Sequence, residues 1–544
     1  MKAIEHFEVP QLGLLKSAVS CVLARELKLE NTNAIAIDTD HPLMRGTDLY
    51  CHAMEANQPV PEPDTDRGDD PAVQAYLASL HHRIMHAHIA GDAKLEAEIT
   101  RQTQRFKYGN PLWQQMYVEY YDYYWQYPYH EGRPPHYRSW QDSSGGNRDL
   151  DYGVINWKLP ANARVAIVGD IGTGTDVAAA VLLAALSFKP HAILHLGDIY
   201  FSGTKAETRH RFVGLIQAVL KSCGLRVPVF TVPGNHEYFT GNVSYFATLD
   251  SNDLIDDSSQ RQSASYFCLR SQDDGWQFLG LDTGFYGHYM NVAASAQQAT
   301  LDRLHIGKVE TAGSSSGPYW PGNYNPHFRH AKGANLPQKD PTAPVDQVTV
   351  RTDECAWHSD KLQKFSGRSV LLSHHQLYSA LNVCGVAQKQ ATGADGKASA
   401  DPTDFNRAWV DTGLWRQFGP AFGTHVAAWI WGHEHNLGIF QSGYRPADWP
   451  QDTPDAQQIF KTLPKGRCAG HSAIPVQQSE APYAQKFPVA LERPDLMLGL
   501  TNGWYNRGFQ IFEAAGAGHP AQLRYYQTAE ADPTPLLIFE ESIE

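Results

Sequence analysis

The chain has 544 residues, 42% hydrophobic and 19% charged, with a formal charge of −13. That length exceeds one ordinary core and predicts either one large domain with insertions or two to three domains. No run of about 18 uncharged apolar residues occurs, so no membrane span is predicted, and the acidic balance argues against a protein that grips nucleic acid chiefly by neutralising phosphates, leaving only a local basic groove open. The opening MKAIEHFEVPQLGLL lacks the sustained apolar stretch of a secretory leader. Seven scattered cysteines (Cys21, Cys51, Cys223, Cys268, Cys355, Cys384 and Cys468), none in a CxxC pair, favour reduced thiols. A cytoplasmic setting is the expectation.

Residues 1–158 read as a mainly helical N-terminal region. Val73, Tyr76, Leu77, Leu80 and Ile84 recur at helical spacing after the polar, Pro-rich connection NQPVPEPDTDRGDD. A second stripe, Trp113, Met116, Tyr117, Tyr120, Tyr121, Tyr124 and Trp125, fits a stacking or membrane-interface helix, but aromatic residues at this period more often dock a helix on a core. DSSGGN at 142–147 reads as a flexible join.

From Ala163 the texture turns to alternating strands and helices. ARVAIVGD, a helix over about 176–188, HAILHLGD, a helix near 206–222 and VPVFTVPGNHE follow in order, as parallel strands buried on both faces do. SASYFCLR and WQFLGLDTG suggest a hairpin, and a helix near 357–365, the strands RSVLLSHH and VAAWIWGHEH, and the late strands LMLGLT, FQIFEA and QLRYYQT complete the set. The fold class predicted is α/β (α+β), two packed mixed sheets flanked by helices over residues 159–530. Long inserts at 285–352, 376–420 and 440–495 read as lids or binding loops, and 531–544 as a C-terminal tail.

Four of these runs end in short ligand-rich peptides: GDIG (Asp170), GDIY (Asp198), GNHE (Asn235, His236) and GHEH (His433, His435), with the pair His374 and His375 between the last two. Strand ends facing one sheet edge can bring carboxylate, amide and imidazole groups to one point, as borderline metals require. Aspartates on neighbouring parallel strands repel unless a cation sits between them. In a site with two metals about 3.5–4 Å apart one carboxylate usually bridges both, and Asp198, central in chain order, is the candidate. His433 and His435 alternate by two on one strand end, so both imidazoles point the same way. Exposed histidines at this spacing are ordinarily plain surface residues; the preceding glycine and the buried WIW run argue otherwise. A nucleotide-binding turn in VAIVGDIGTGTDVA is the competing reading, but its spacing fits neither GxGxxG nor GxxxxGK and leaves GNHE and GHEH unexplained. His82 with His86 and His327 with His330 receive the plainer reading of ordinary polar residues.

The order GDxG, GD, GNHE, His, GHxH resembles the calcineurin-like metallophosphoesterase superfamily, and Gly172, where many members have a His, is more similar to its purple acid phosphatase branch. The resemblance covers about 163–530. It implies a metallophosphoesterase β-sandwich and two divalent ions, Mn, Fe or Zn, one held by Asp170, Asp198 and His435 and the other by Asp198, Asn235, His374 and His433. His375 is the reserve for His374, and His236 would contact phosphate and act as general acid. The implied activity is hydrolysis of a phosphate mono- or diester by a metal-bound hydroxide. Members of the purple branch place a tyrosine ligand three residues after the bridging aspartate, where this chain has Phe201; Tyr200 comes one residue early and, if the backbone is extended, points elsewhere. No iron–tyrosinate colour is therefore expected. The alternatives are a catalytically silent metal-binding scaffold and, within the same fold, a nuclease or phospholipase.

Overall fold

The structure is a computed structural model that describes residues 4–29, 41–89, 92–106, 136–141, 148–287 (except 252, 255 and 256), 348–377, 411–442, 465–476 and 499–544 (except 502), with 112, 113, 116, 379, 463 and 493 singly. The apolar runs pair into two sheets. In the first, β1 (Arg164–Val168), β2 (Ala192–His195) and β3 (Val229–Thr231) lie parallel, and β12 (Arg507–Glu513), β13 (Ala521–Thr528) and β14 (Leu536–Ile543) extend the other side antiparallel, giving the order β14-β13-β12-β1-β2-β3. In the second, β4 (Phe267–Arg270) pairs antiparallel with β5 (Trp276–Leu281), which runs parallel to β6 (Arg368–Ser373), β7 (Val426–Trp431) and β9 (Gly466–Ala469). The antiparallel β8 (Leu437–Ile439) closes its edge. A ribbon of β10 (Leu500–Thr501) and β11 (Trp504–Tyr505) stands apart.

The central parallel strands are buried along nearly their whole length, because helices or the opposite sheet cover both faces. Trp276 and Phe278 of β5 meet Phe512 of β12 edge to face, with ring centroids 5.0 and 5.1 Å apart, so the inner faces of the two sheets share one core. The fold is thus mixed α/β, two mixed sheets flanked by helices. The crossover from β1 to β2 is the helix Asp176–Ser187, started by Thr175, whose side chain accepts from the Ala178 amide. The crossover from β2 to β3, expected as one helix, is a π-helical segment Glu207–Val213 running into the α-helix Gly214–Cys223.

The N-terminal region supplies α1 (Pro10–Glu26), α2 (Pro42–Glu55), α3 (Pro71–Ile89) and α4 (Ala93–Thr103). The first three open on proline, whose fixed φ suits a first helical position and whose missing N–H would have no partner there. Val73, Leu77, Leu80 and Ile84 form the buried stripe of α3. Trp113 and Met116 are buried as well, the indole N–H donating to Gln74 Oε1 at 2.9 Å; Tyr117, Tyr120, Tyr121, Tyr124 and Trp125 lie outside the described residues. This core continues into the sheet domain through Tyr200, Phe201, Ala206 and Ile474. His82 Nδ1 is engaged by the Tyr50 hydroxyl, whereas His327 and His330, the 142–147 join and most of the three inserts lie outside the described residues. The expected insert at 440–495 is corrected in part, because it contains β9, a buried strand between β7 and β8. No helix among the described residues is long and apolar enough to cross a membrane.

The expected tail at 531–544 is corrected: Leu536–Ile543 is strand β14, paired to β13. It also ties the sheets together, because Arg467 of β9, fully buried, donates two bonds of 2.6 Å to the Glu541 carboxylate of β14. The guanidinium further donates to the Phe440 and Gly466 carbonyls at 2.7 Å. Removing one partner of such a pair leaves a buried charge uncompensated, at a cost of about 3–5 kcal/mol. Glu541→Ala is therefore expected to lower unfolding stability by that amount in urea titrations. A loss within about 0.5 kcal/mol, the level of an ordinary surface change, would contradict the role given to the pair.

Candidate metal centre

Parallel strands aim their carboxyl ends at one edge, and the chain turns there with a glycine just before Asp170, Asp198, Asn235 and His433. Asp170 follows β1, Asp198 follows β2, Asn235 follows β3, His374 follows β6, and His433 and His435 follow β7. Asp170, Asp198 and His433 take left-handed backbone angles, with φ of 62°, 71° and 67°. Such conformations in non-glycine residues cost about 1–3 kcal/mol each and persist where surrounding structure dictates them. Gly234 is needed for space, since a Cβ there would lie 1.9 Å from Asp198 Oδ1.

The side chains converge in two groups. His374 Nε2 lies 3.1 Å from Asn235 Oδ1, 3.1 Å from His433 Nδ1 and 3.2 Å from Asp198 Oδ1. The other ring nitrogen of His374, Nδ1, bonds the Leu196 carbonyl at 2.9 Å and so fixes the tautomer that leaves Nε2 facing this group. Asp170, Asp198 and His435 form the second group, with His435 Nε2 at 3.4 Å from Asp170 Oδ1, while Asp170 Oδ2 accepts the His433 amide at 2.9 Å. Asp198 belongs to both groups. His375 stands beside His433 with ring centroids 4.6 Å apart and falls with His374 and His433 in one group of possible metal donors; its Nδ1 and its amide both meet Thr283 Oγ1, at 3.2 and 3.0 Å.

Electrostatics fit a cation. Asp170 and Asp198 are fully buried, and Asp198 Oδ2 has no hydrogen-bond partner among the described residues. Burial opposes a proton on His374, yet the charges of Asp198 and Asp170 outweigh it and hold that imidazole up to about 9. His433, by contrast, is pushed down to about 3 by burial and by His374. Two carboxylates, an amide oxygen and three imidazoles are the donor set that borderline divalent metals accept.

His236 sits on the short helix Asn235–Tyr238 with its amide 3.3 Å from Asp198 Oδ1 and its Nε2 3.6 Å from Asp198 Oδ2. Its Nδ1 donates to the Phe201 carbonyl, which turns Nε2 towards the carboxylates. The expectation that Tyr200 points elsewhere is overturned. Its hydroxyl donates to Asp170 Oδ1 at 2.6 Å and meets His435 Nε2 at 2.8 Å. Residues 200 and 201 lie in a turn, so the alternation of an extended strand does not apply, and the Phe201 ring is drawn into the N-terminal core instead. Burial and the nearby charges of Asp170 and Asp198 hold the Tyr200 phenol well above its ordinary range.

Sequence reasoning also missed the groups behind these residues. Glu237 accepts the Gly234 amide at 2.6 Å, and burial, then Asp198, raise its carboxyl to about 8. The Tyr238 hydroxyl donates to Asp282 Oδ2 at 2.6 Å, and the Asp282 amide donates to Glu354 Oε1 at 2.8 Å. Asp282 follows the apolar run of β5 in the same strand-end position as Asp170 follows β1; that was the available signal. Burial, reinforced for Asp282 by the charge of Glu354, raises the two carboxyls to about 7 and about 8. Both therefore keep their protons in the folded chain at pH values where an unfolded chain releases them. Their stabilisation is complete below about pH 4 and is lost as pH rises through 7 to 8, at up to about 1.4 kcal/mol per unit for each group. Urea midpoints are expected to fall between pH 5 and 8, and Glu354→Gln to flatten that fall; identical slopes in the two proteins would contradict the assignment.

Comparison with known proteins agrees with this geometry. A family model described as calcineurin-like phosphoesterase matches residues 163–437, about half of the chain, from the start of β1 to just past His435. Among individual curated proteins, none matches. The chain belongs to the calcineurin-like phosphoesterase family, whose metal-dependent hydrolysis of phosphoesters suits the donors gathered at this sheet edge.

Proposed function

We propose that the protein is a two-metal phosphoesterase acting on a phosphate mono- or diester. The observation that carries this reading is the sharing of Asp198 between the two donor groups. Asp170, Asp198 and His435, joined by Tyr200, would hold one ion; Asp198, Asn235, His374 and His433 would hold the other. Mn, Fe or Zn suit these donors. When bound, such a pair lowers the pKa of water from 15.7 towards about 7 and neutralises charge on the ester oxygens.

The remaining work falls to this chain's own groups. Asp198, Asp170 and the histidines fix where the reacting phosphate must sit. His236, oriented through Nδ1 by the Phe201 carbonyl, presents Nε2 to the ester; in its doubly protonated form, which burial opposes and the Asp198 charge favours, it would contact phosphate or give its Nε2 proton to the leaving oxygen. The phenol beside Asp170 and His435 supports kinship with the purple acid phosphatase branch, which uses a tyrosine ligand, and replaces the earlier expectation of a site without tyrosinate.

Apo protein given Mn, Zn, Fe or Mg is to be assayed on phosphomonoesters, phosphodiesters, nucleotides and phospholipids. Turnover of at least one class is expected, with His236→Ala losing about 10²–10⁴ in rate while keeping its metal. Two ions bound with no hydrolysis of any class would favour a silent scaffold. Wild-type rates in His236→Ala would remove that residue from the chemistry.

A further inference from the structure

Tyr200 and Phe201 are consecutive, both buried, and enter different surroundings. The Tyr200 hydroxyl reaches Asp170 and His435, whereas the Phe201 ring lies in the core of α1 to α4. It packs against Gly13 of α1 so closely that a Cβ on that glycine would stand 3.3 Å from Phe201 Cζ. The backbone between them is held by one carboxylate. Glu207, buried at the start of the π-helical segment, accepts the amide of Phe201, the amide of Ser202 at 3.1 Å, and the amide and hydroxyl of Thr204 at 2.9 and 3.0 Å. Its Oε1 also accepts the Ser17 hydroxyl of α1 at 2.6 Å.

A buried carboxylate without such donors would be costly, so these bonds and the loop conformation sustain each other. The same carboxylate therefore spans the catalytic loop and the N-terminal helices. We propose that α1 builds one side of the metal centre, with Phe201 and Glu207 as positioning residues that hold the Tyr200 hydroxyl between Asp170 and His435. This rests on reading Tyr200 as a ligand of the ion on the Asp170 side. The ring of Phe201 acts as a peg in α1, the Glu207 carboxylate as the clasp, and Ser17 as the point where α1 meets that clasp. The His374, Asn235 and His433 side of the centre is carried instead by the ends of β6, β3 and β7, with His374 held through Nδ1 by the Leu196 carbonyl.

The test uses the full chain. Wild type, Tyr200→Phe, Phe201→Ala, Phe201→Leu, Ser17→Ala and a control, Leu77→Ala in α3, are loaded with Fe(III), and the visible absorption of a bound phenolate is recorded. Zinc titrations of the same proteins give the affinities of the two sites. The wild-type protein is expected to show the band and Tyr200→Phe to lose it. Phe201→Ala and Ser17→Ala are expected to shift or weaken the band and to reduce affinity at one site about 10- to 100-fold. Phe201→Leu should recover most of the signal, and Leu77→Ala, which truncates a buried side chain of α3 in the same core without touching the Glu207 and Ser17 bonds, should leave the band unmoved.

A wild-type band that survives in Tyr200→Phe, or no band in the wild type, overturns the ligand reading and this proposal with it. A band lost in Tyr200→Phe but unchanged in both Phe201→Ala and Ser17→Ala overturns the positioning role alone. Should Phe201→Ala fail to fold, Ser17→Ala decides, because it removes only one hydroxyl.

Discussion

The repulsion between two buried carboxylates, Asp170 and Asp198, is the constraint around which this site is built. Neither is exposed, and both lie within one group of metal-type donors at the ends of adjacent parallel strands. In water such a pair would be harmless; in a low-dielectric interior it demands a compensating positive charge. His374 answers that demand, held up to about 9 by the two aspartates against the effect of its own burial. A cation at each donor group would take over this role from the proton, with the neutral amide of Asn235 and the imidazole of His433 in one set and the imidazole of His435 in the other adding no charge.

The rest of the molecule fixes this charge arrangement in space. Left-handed backbone at Asp170, Asp198 and His433 turns each side chain off the strand end into the site. Gly234 lets a backbone approach that any side chain would block. Behind these donor side chains, Tyr238, Asp282 and Glu354 anchor the short helix that carries Asn235 and His236, and the Arg467–Glu541 pair locks the two sheets together. The N-terminal helices join this framework through Ser17, Glu207 and Phe201 rather than sitting beside it.

The sequence made the central strands and their ligands readable because parallel strands covered on both faces give continuous apolar runs, and glycine marks where each ends. ARVAIVGD, HAILHLGD and VAAWIWGHEH are all of this kind. β14 was illegible for the opposite reason: LLIFEESI is a half-exposed edge strand whose four apolar residues are followed at once by two glutamates, with no clean alternation and no glycine to mark its end. β8 and β9 are three and four residues long and separated by a long insert. Tyr200 was misread because its direction is decided by where its neighbour goes. The pocket for Phe201 lies on a helix nearly 190 residues earlier, beyond any local pattern. His374 and His375 are adjacent in sequence and both fall in the donor group with His433; the fold distinguishes them by their other contacts, the Leu196 carbonyl for one and Thr283 for the other.

The central claim is that Asp198 is common to two ion sites. Metal content per folded chain, measured by elemental analysis after loading and removal of excess metal, tests it directly in the wild type, Asp198→Asn and His435→Ala. The account predicts two ions in the wild type, loss of both in Asp198→Asn, and loss of one in His435→Ala. One ion retained in a folded Asp198→Asn protein, or only one in the wild type, would contradict a shared carboxylate.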